Sequence, residues 1–269
     1  MKNINDFQVM KKNMKPIVMM TAYDYPSGKY VETAGVDLIL TGDSLGMVVL
    51  GYEDTLQVTL SDMIHHTRAT RRGAPDTFII ADMPHMSYHI NNEETKLNAS
   101  KLIKQGMANA VKLEGGSESR IGAIRAIVDC EIPVCAHLGL TPQSINRMGG
   151  YRIQGKSEKS YHQILQQAME IEDAGAFMLV LEAIPEKLGK EITEKLCIPT
   201  IGIGAGRYTD GQVLVYHDLL GMSNFKPKFV KQYSNLNSFI IKAIEIWKND
   251  VIEHKFPETG NIYLPIDGE

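Results

Sequence analysis

The chain has 269 residues, 43% of them hydrophobic, and a formal net charge of −4. A chain this mildly acidic, whose tightest basic group is Arg68, Arg71 and Arg72, lacks the basic stripe that a nucleic-acid partner requires. No run of about twenty apolar residues offers a membrane span, the start Met1–Lys15 is too polar for a secretory signal, and three cysteines (Cys130, Cys135, Cys197) without a CxxC pair argue against a disulfide framework and fit a reducing, cytoplasmic setting.

Eight short apolar runs succeed one another along the chain. They are Pro16–Thr21, Val36–Thr41, Thr77–Ala81, Ala110–Leu113, Ile132–Ala136, Ala176–Leu181, Pro199–Ile203 and Gln212–Val215. Most lack strict alternation, as strands buried on both faces do. Helical patterns fill the intervals: Ser27–Ala34 before Gly35, Ser61–Arg72 before Gly73 with Ser61 as N-cap, and Asn92–Gln105 before Gly106. Ser117–Val128, Ser157–Ala174 before Gly175, Pro185–Leu196 and an amphipathic Leu236–His254 complete the set. The glycines are the expected left-handed residues after helix ends. Ile4–Lys12 is predicted to form a helix that plugs a barrel floor.

Alternating strands and helices make a parallel sheet, and eight units in a row favour a closed (β/α)8 TIM barrel over an open sheet. A length of 269 residues suits a single such domain over 1–269, with a short N-terminal segment and a C-terminal helix. The active site of such a barrel lies at the carboxyl ends of its strands. The residue types at the carboxyl end of each run are therefore informative: Asp43 and Ser44, then Asp82, Lys112 with Glu114, His137, Glu182, and His217 with Asp218.

Any one of these could cap a turn, but together they gather acids and bases at one end of the barrel. Asp43, Asp82 and Glu114 are hard oxygen donors, which suit Mg²⁺ or Mn²⁺. Because Mg²⁺ takes one or two direct carboxylates, one of the three, for example Glu114, is expected to act through water. Lys112 and Glu114, two apart on one strand, share the inward face, where the lysine either binds a substrate oxygen or forms a structural ion pair. Glu182 comes after five apolar residues and is expected to be partly desolvated, which suits a general base. His137 either donates to a substrate oxygen or is a satisfied core residue. Gly202–Gly206 is not GxGxxG and reads as close backbone approach or a tight turn rather than a phosphate loop. The glycine-bearing loops Met47–Thr55 and Gly139–Lys156 are candidates to close over the site.

The segments TAYDYPSGKYVETAGVDLILTGDSLGMVVLGY, ADMPHMSY, VKLEGG, AHLGLTPQSINRMGGYRIQGK, LVLEAIP and IGIGAGRYTDGQVLVYHDLLGM run from Thr21 to Met222. On these the chain resembles the ketopantoate hydroxymethyltransferases. The resemblance implies a barrel of the phosphoenolpyruvate/pyruvate-binding type. It implies transfer of a hydroxymethyl group from 5,10-methylenetetrahydrofolate to 3-methyl-2-oxobutanoate on the way to pantothenate and coenzyme A. It further implies Mg²⁺ at Asp43, Asp82 and Glu114, keto-acid contacts from Asp43, Ser44, Asp82 and Lys112, Glu182 as base, and a homo-oligomer, typically a decamer. The competing readings are a metal-dependent carbon–carbon lyase, which would carry a reactive cysteine in a mobile loop, and a non-catalytic keto-acid sensor or purely structural barrel protein, which has no need of a base.

Overall fold

A computed structural model describes residues 1–223 and 227–263. Eight parallel strands close into a barrel in chain order: β1 Ile17–Thr21, β2 Leu38–Thr41, β3 Phe78–Asp82, β4 Ala110–Glu114, β5 Val134–Gly139, β6 Met178–Glu182, β7 Thr200–Ile203 and β8 Gly211–Leu214. The eight sequence runs fall on these strands, but several strands begin and end later than their apolar runs. As a result Asp82, Glu114 and Glu182 are the last residues of β3, β4 and β6, and His137 lies inside β5.

Side chains alternate between two apolar layers. Ala110, Ile80, Cys135, Met178, Val180 and Ile201 fill the barrel interior with Phe7 and Met10, whereas Val111, Leu113, Ala136 and Leu179 pack outward with the helices. This alternation turns Lys112 and Glu114 inward, as their spacing predicted. The helix Ile4–Lys12 starts on an Asn3 capping box closed by Asp6. Its Phe7 packs edge-on against Phe78 at 5.3 Å between ring centres, and Lys11 pairs with Asp210 at 2.7 Å. Both contacts are at the amino ends of strands, so the helix seals the floor.

Three local expectations are corrected. The helix Leu60–Gly73 is capped by Thr59 in a box with Asp62, not by Ser61, because Thr59 is the residue with extended backbone. Gly73 is inside that helix rather than after it. A Cβ there would lie 2.1 Å from the Tyr25 carbonyl oxygen, so glycine serves close packing on the helix Tyr25–Thr33. After the helix Asn92–Lys104 it is Met107, not Gly106, that takes a positive φ, of 63°. Gly35 and Gly175 do adopt left-handed backbone after their helices.

The chain forms two compact units, Met1–Tyr216, which holds the whole barrel, and His217–Glu269. The second contains the helix Leu236–Ile252, none of whose residues is buried. His217 and Asp218 belong to the short helix Tyr216–Leu219 rather than to the end of β8. Among the described residues no helix is long and apolar enough to cross a membrane.

Candidate active site

The strand register sets the site. Asp82 pairs with Lys112, Glu114 with His137, and Gly139 with Glu182 across neighbouring strands. Asp43 and Ser44 come after β2 in the turn that opens the helix Leu45–Val48. Gly42 before them leaves room for this turn, since a Cβ would stand 2.9 Å from Ser44 Oγ and 3.4 Å from Asp82 Oδ2. The Asp43 backbone N–H then donates to Asp82 Oδ2 at 3.0 Å. Five ionisable side chains, Asp43, Asp82, Lys112, Glu114 and His137, are thereby buried together at the carboxyl mouth of the barrel.

Lys112 stands at the centre. Its Nζ lies 3.1 Å from Asp82 Oδ1, 3.4 Å from His137 Nδ1 and 3.9 Å from Glu114 Oε1. Burial alone would strip its charge, but Asp82, Glu114 and Asp43 outweigh that and raise its proton affinity. Burial, then the charges of Asp82 and Glu114, push the Asp43 carboxyl well above its usual range. Burial also raises Asp82, against the pull of Lys112. Glu114 resists its burial and is held low by His137, Lys112 and a backbone donor. Burial and Lys112 work against protonation of His137, yet Glu114 and Glu182 bring it up to about 9.

Glu182 is set apart from this group. Its Oε2 lies 3.3 Å from His137 Nε2, and its side chain keeps 15% exposure, so it is partly desolvated. The backbone turns away immediately afterwards through Ala183, whose φ of 47° is unusual for a residue other than glycine. Ser44 Oγ is 2.8 Å from the hydroxyl of buried Tyr23.

Sequence reasoning misses three contributors: Tyr23, Tyr88 and Gln143. Gln143, on the turn Pro142–Ser144, donates from Nε2 to Asp43 Oδ2 at 2.8 Å and to the Met83 carbonyl at 2.9 Å. Its backbone N–H donates to Glu114 Oε2 at 3.1 Å. The two loops expected to close over the site touch, Tyr151 Oη donating to Met47 Sδ at 3.4 Å. In the Gly202–Gly206 segment glycine serves close approach: a Cβ on Gly202, in β7, would stand 2.6 Å from Thr209 Oγ1, and one on Gly206, at a φ of 86°, 2.4 Å from Glu186 Cγ.

Among the described residues no three His, Cys, Asp or Glu side chains form a ready-made metal cage. The reason is visible in the donors. Both Glu114 oxygens already face protein groups, His137 and the Gln143 N–H, and Asp43 Oδ2 faces the Gln143 amide. What remains is the other Asp43 oxygen, with Asp82 Oδ1, which is buried and faces only the Lys112 ammonium at 3.1 Å. Two hard carboxylate oxygens fit Mg²⁺, which takes one or two direct carboxylates and completes its octahedron with water and substrate.

The family model of ketopantoate hydroxymethyltransferase matches residues 1–259. The chain belongs to that family. It is 54% identical over 264 residues to 3-methyl-2-oxobutanoate hydroxymethyltransferase of Bacillus subtilis (strain 168), covering 98% of this chain and 95% of the relative. The same figure, over 265 residues, relates it to the protein of that name from Clostridium botulinum (strain Alaska E43 / Type E3), covering 98% and 96%. The family is one of transferases, so the chain is an enzyme rather than a binding protein. Solved structures share the fold at low identity. Phosphoenolpyruvate phosphomutase from Streptomyces platensis subsp. rosaceus has a TM-score of 0.64 at 12% identity, covering 98% of this chain and 93% of that one. Phosphonopyruvate hydrolase in complex with oxalate and Mg²⁺ has a TM-score of 0.60 at 12% identity, covering 97% and 93%. These likenesses show the fold, a closed parallel barrel shared with those proteins.

Proposed function

We propose that the enzyme transfers a hydroxymethyl group from 5,10-methylenetetrahydrofolate to 3-methyl-2-oxobutanoate, giving 2-dehydropantoate for pantothenate and coenzyme A synthesis. One observation carries the reading. The mouth of the barrel holds an oxygen-and-ammonium cluster (Asp43, Asp82, Lys112) on one side and a separate, partly solvated carboxylate, Glu182, on the other. The first suits the oxygens of a keto acid, and the second suits a proton on the neighbouring carbon.

Asp43 and Asp82 would hold Mg²⁺, or Mn²⁺, directly and Glu114 through water. When bound, the ion acts as a Lewis acid toward the keto and carboxylate oxygens. Lys112 keeps its charge and draws the keto acid's oxygens, where charge grows as the carbon is deprotonated. Ser44 adds a hydroxyl oriented by Tyr23. Glu182 takes the C3 proton, with His137 Nε2 fixing the carboxylate. The carbanionic C3 then bonds to the methylene carbon of the folate as one of that carbon's two C–N bonds opens. After the C–C bond has formed, one water supplies the hydroxyl as the second C–N bond breaks, and tetrahydrofolate leaves with its two nitrogens protonated, one by the water and one by the proton taken from C3. Contact between the segments of Met47 and Tyr151 supports closure over that step, which protects a reactive carrier from water.

The lyase alternative gains no support from the thiols. Cys135 is fully buried and burial pushes its thiol up to about 12. Cys130 and Cys197 are exposed but precede β5 and β7, which is the floor side. Homo-oligomerisation, in the decamer the family resemblance suggests, is supported by the helix Leu236–Ile252, where Phe239, Ile244, Trp247 and Ile252 are each more than half exposed. Sedimentation of the purified protein reads this directly.

The decisive assay combines the keto acid, the folate and Mg²⁺, with and without chelator. In the same mixture Glu182→Gln is expected to cut both turnover and solvent exchange of the C3 hydrogen by about 10²-fold or more, with Mg²⁺ affinity nearly unchanged. Exchange at the full rate would show that the base lies elsewhere.

A further inference from the structure

Gln143 is 5% exposed, yet it sits on a segment, 139–156, whose Arg147 and Tyr151 lie at the surface. Every polar group of its side chain is engaged. Nε2 serves Asp43 Oδ2 and the Met83 carbonyl, and Oε1 accepts from Tyr88 Oη at 2.6 Å. Chemistry fixes the orientation of this amide. The Met83 carbonyl can only accept, so the NH₂ must face it. Tyr88 Oη already accepts the Glu114 backbone N–H at 3.2 Å, so its own proton goes to Gln143. The backbone N–H of Gln143 meets Glu114 Oε2 as well. One residue thus touches two of the three carboxylates and two neighbouring strand ends, across a chain separation of 100 residues from Asp43.

We propose that Gln143 is a positioning residue that latches the 139–156 segment onto the carboxylate cluster, so that closure of the segment and the orientation of Asp43 are one event. With Oδ2 held by the amide, Asp43 presents its other oxygen to the ligand. With Gln143 withdrawn, Asp43 rotates freely, Glu114 loses a donor, and the segment loses its inner anchor. The residue touches no substrate atom in this scheme and acts through Asp43 and Glu114. The proposal rests on reading Asp43 as a metal ligand.

The test uses the full-length enzyme with Mg²⁺ alone and with Mg²⁺ plus 3-methyl-2-oxobutanoate. Titration calorimetry reads Mg²⁺ affinity, and hydrogen exchange reads amides 144–156. Gln143→Ala is expected to weaken Mg²⁺ binding about tenfold or more, in the range found when partners of metal ligands are removed. It should also abolish the slowing of exchange in 144–156 that ligands produce in the wild type, with strand amides unchanged. Tyr88→Phe, which removes one hydroxyl and keeps the ring, should move both readouts the same way by a smaller factor. It guards against a Gln143→Ala chain that does not fold. Affinity and exchange both within twofold of wild type in either folded variant would overturn the latch. Weakened binding with unchanged exchange would also overturn it, because the two would not be coupled. A wild type that binds no Mg²⁺ would overturn the metal reading and the latch with it, whereas wild-type binding matched by the variants overturns the latch alone.

Discussion

Replacing Lys112 by methionine removes the one ammonium among three buried carboxylates while keeping much of the side-chain length. At an effective dielectric of about 20, a unit pair 3.1 Å apart attracts by about 5 kcal/mol, and one 3.9 Å apart by about 4 kcal/mol. The penalty for burying each charge offsets much of this in the intact protein. After the substitution that penalty remains for the carboxylates, with no opposite charge to answer it. Breaking a buried pair from one side typically costs about 3–5 kcal/mol, and we expect a loss of that size. Mg²⁺ should restore part of it, since a ligand at a hundred times its Kd adds about 2.7 kcal/mol to the folded state. Urea unfolding of wild type and Lys112→Met, each with and without Mg²⁺, measures all four stabilities. A metal-free loss under about 1 kcal/mol, far below the range for a broken buried pair, would refute the reasoning. So would a Mg²⁺ effect smaller in the variant than in the wild type.

Gly139→Ala should be among the most damaging single-methyl changes in the barrel. The added carbon would lie 2.1 Å from the Glu182 carbonyl oxygen at a φ of 99°, so both strain and overlap act on the strand that carries Glu182. Turnover and thermal stability should fall together, and a variant with wild-type Tm would contradict this. His89 is pushed down to about 4 by burial, then by the charges of Arg120 and His85. The unfolded chain therefore takes up its proton first as pH drops from 6.5 toward 4, and stability is lost over that window. With screening allowed for at a partly exposed ring, the loss is about 1 kcal/mol, and His89→Asn should remove it from the pH profile of unfolding. A thiol reagent at neutral pH should modify Cys130 and Cys197 in the folded protein and spare Cys135 until it unfolds, as peptide mapping would show.

The barrel was legible because its strands are buried on both sides and read as apolar runs. Their ends were not, because Asp82, Glu114 and Glu182 are charged and end an apolar run while still belonging to the ladder. The inward direction of Lys112 and Glu114 came from their spacing alone. Gln143 carried no such signal. It lies in a turn without periodicity, and what matters about it is contact with Asp43, 100 residues away. Tyr88 was hidden for the same reason, since its hydroxyl works at the backbone of Glu114. Ser61 was mistaken for a cap because serine at a helix start is a good prior, and only the backbone angles show that Thr59 has that place.

The charge balance of the site explains why so unfavourable a cluster is kept. If all three carboxylates are ionised they face one ammonium, and a protonated His137 adds one more positive charge, which still leaves a surplus negative charge out of water; burial and that surplus are what push Asp43 well above its usual range. Well-packed apolar side chains in place of a buried ionic cluster often leave a protein as stable or more stable. The surplus makes sense if the functional state contains more charges than the chain supplies. A divalent cation turns it into an excess of one positive charge, and the carboxylate of a keto acid cancels that excess. On this count neither ligand suits the site as well alone as both do together. Mg²⁺ should therefore bind more tightly in the presence of the keto acid and, by linkage, the keto acid more tightly in the presence of Mg²⁺ by the same factor.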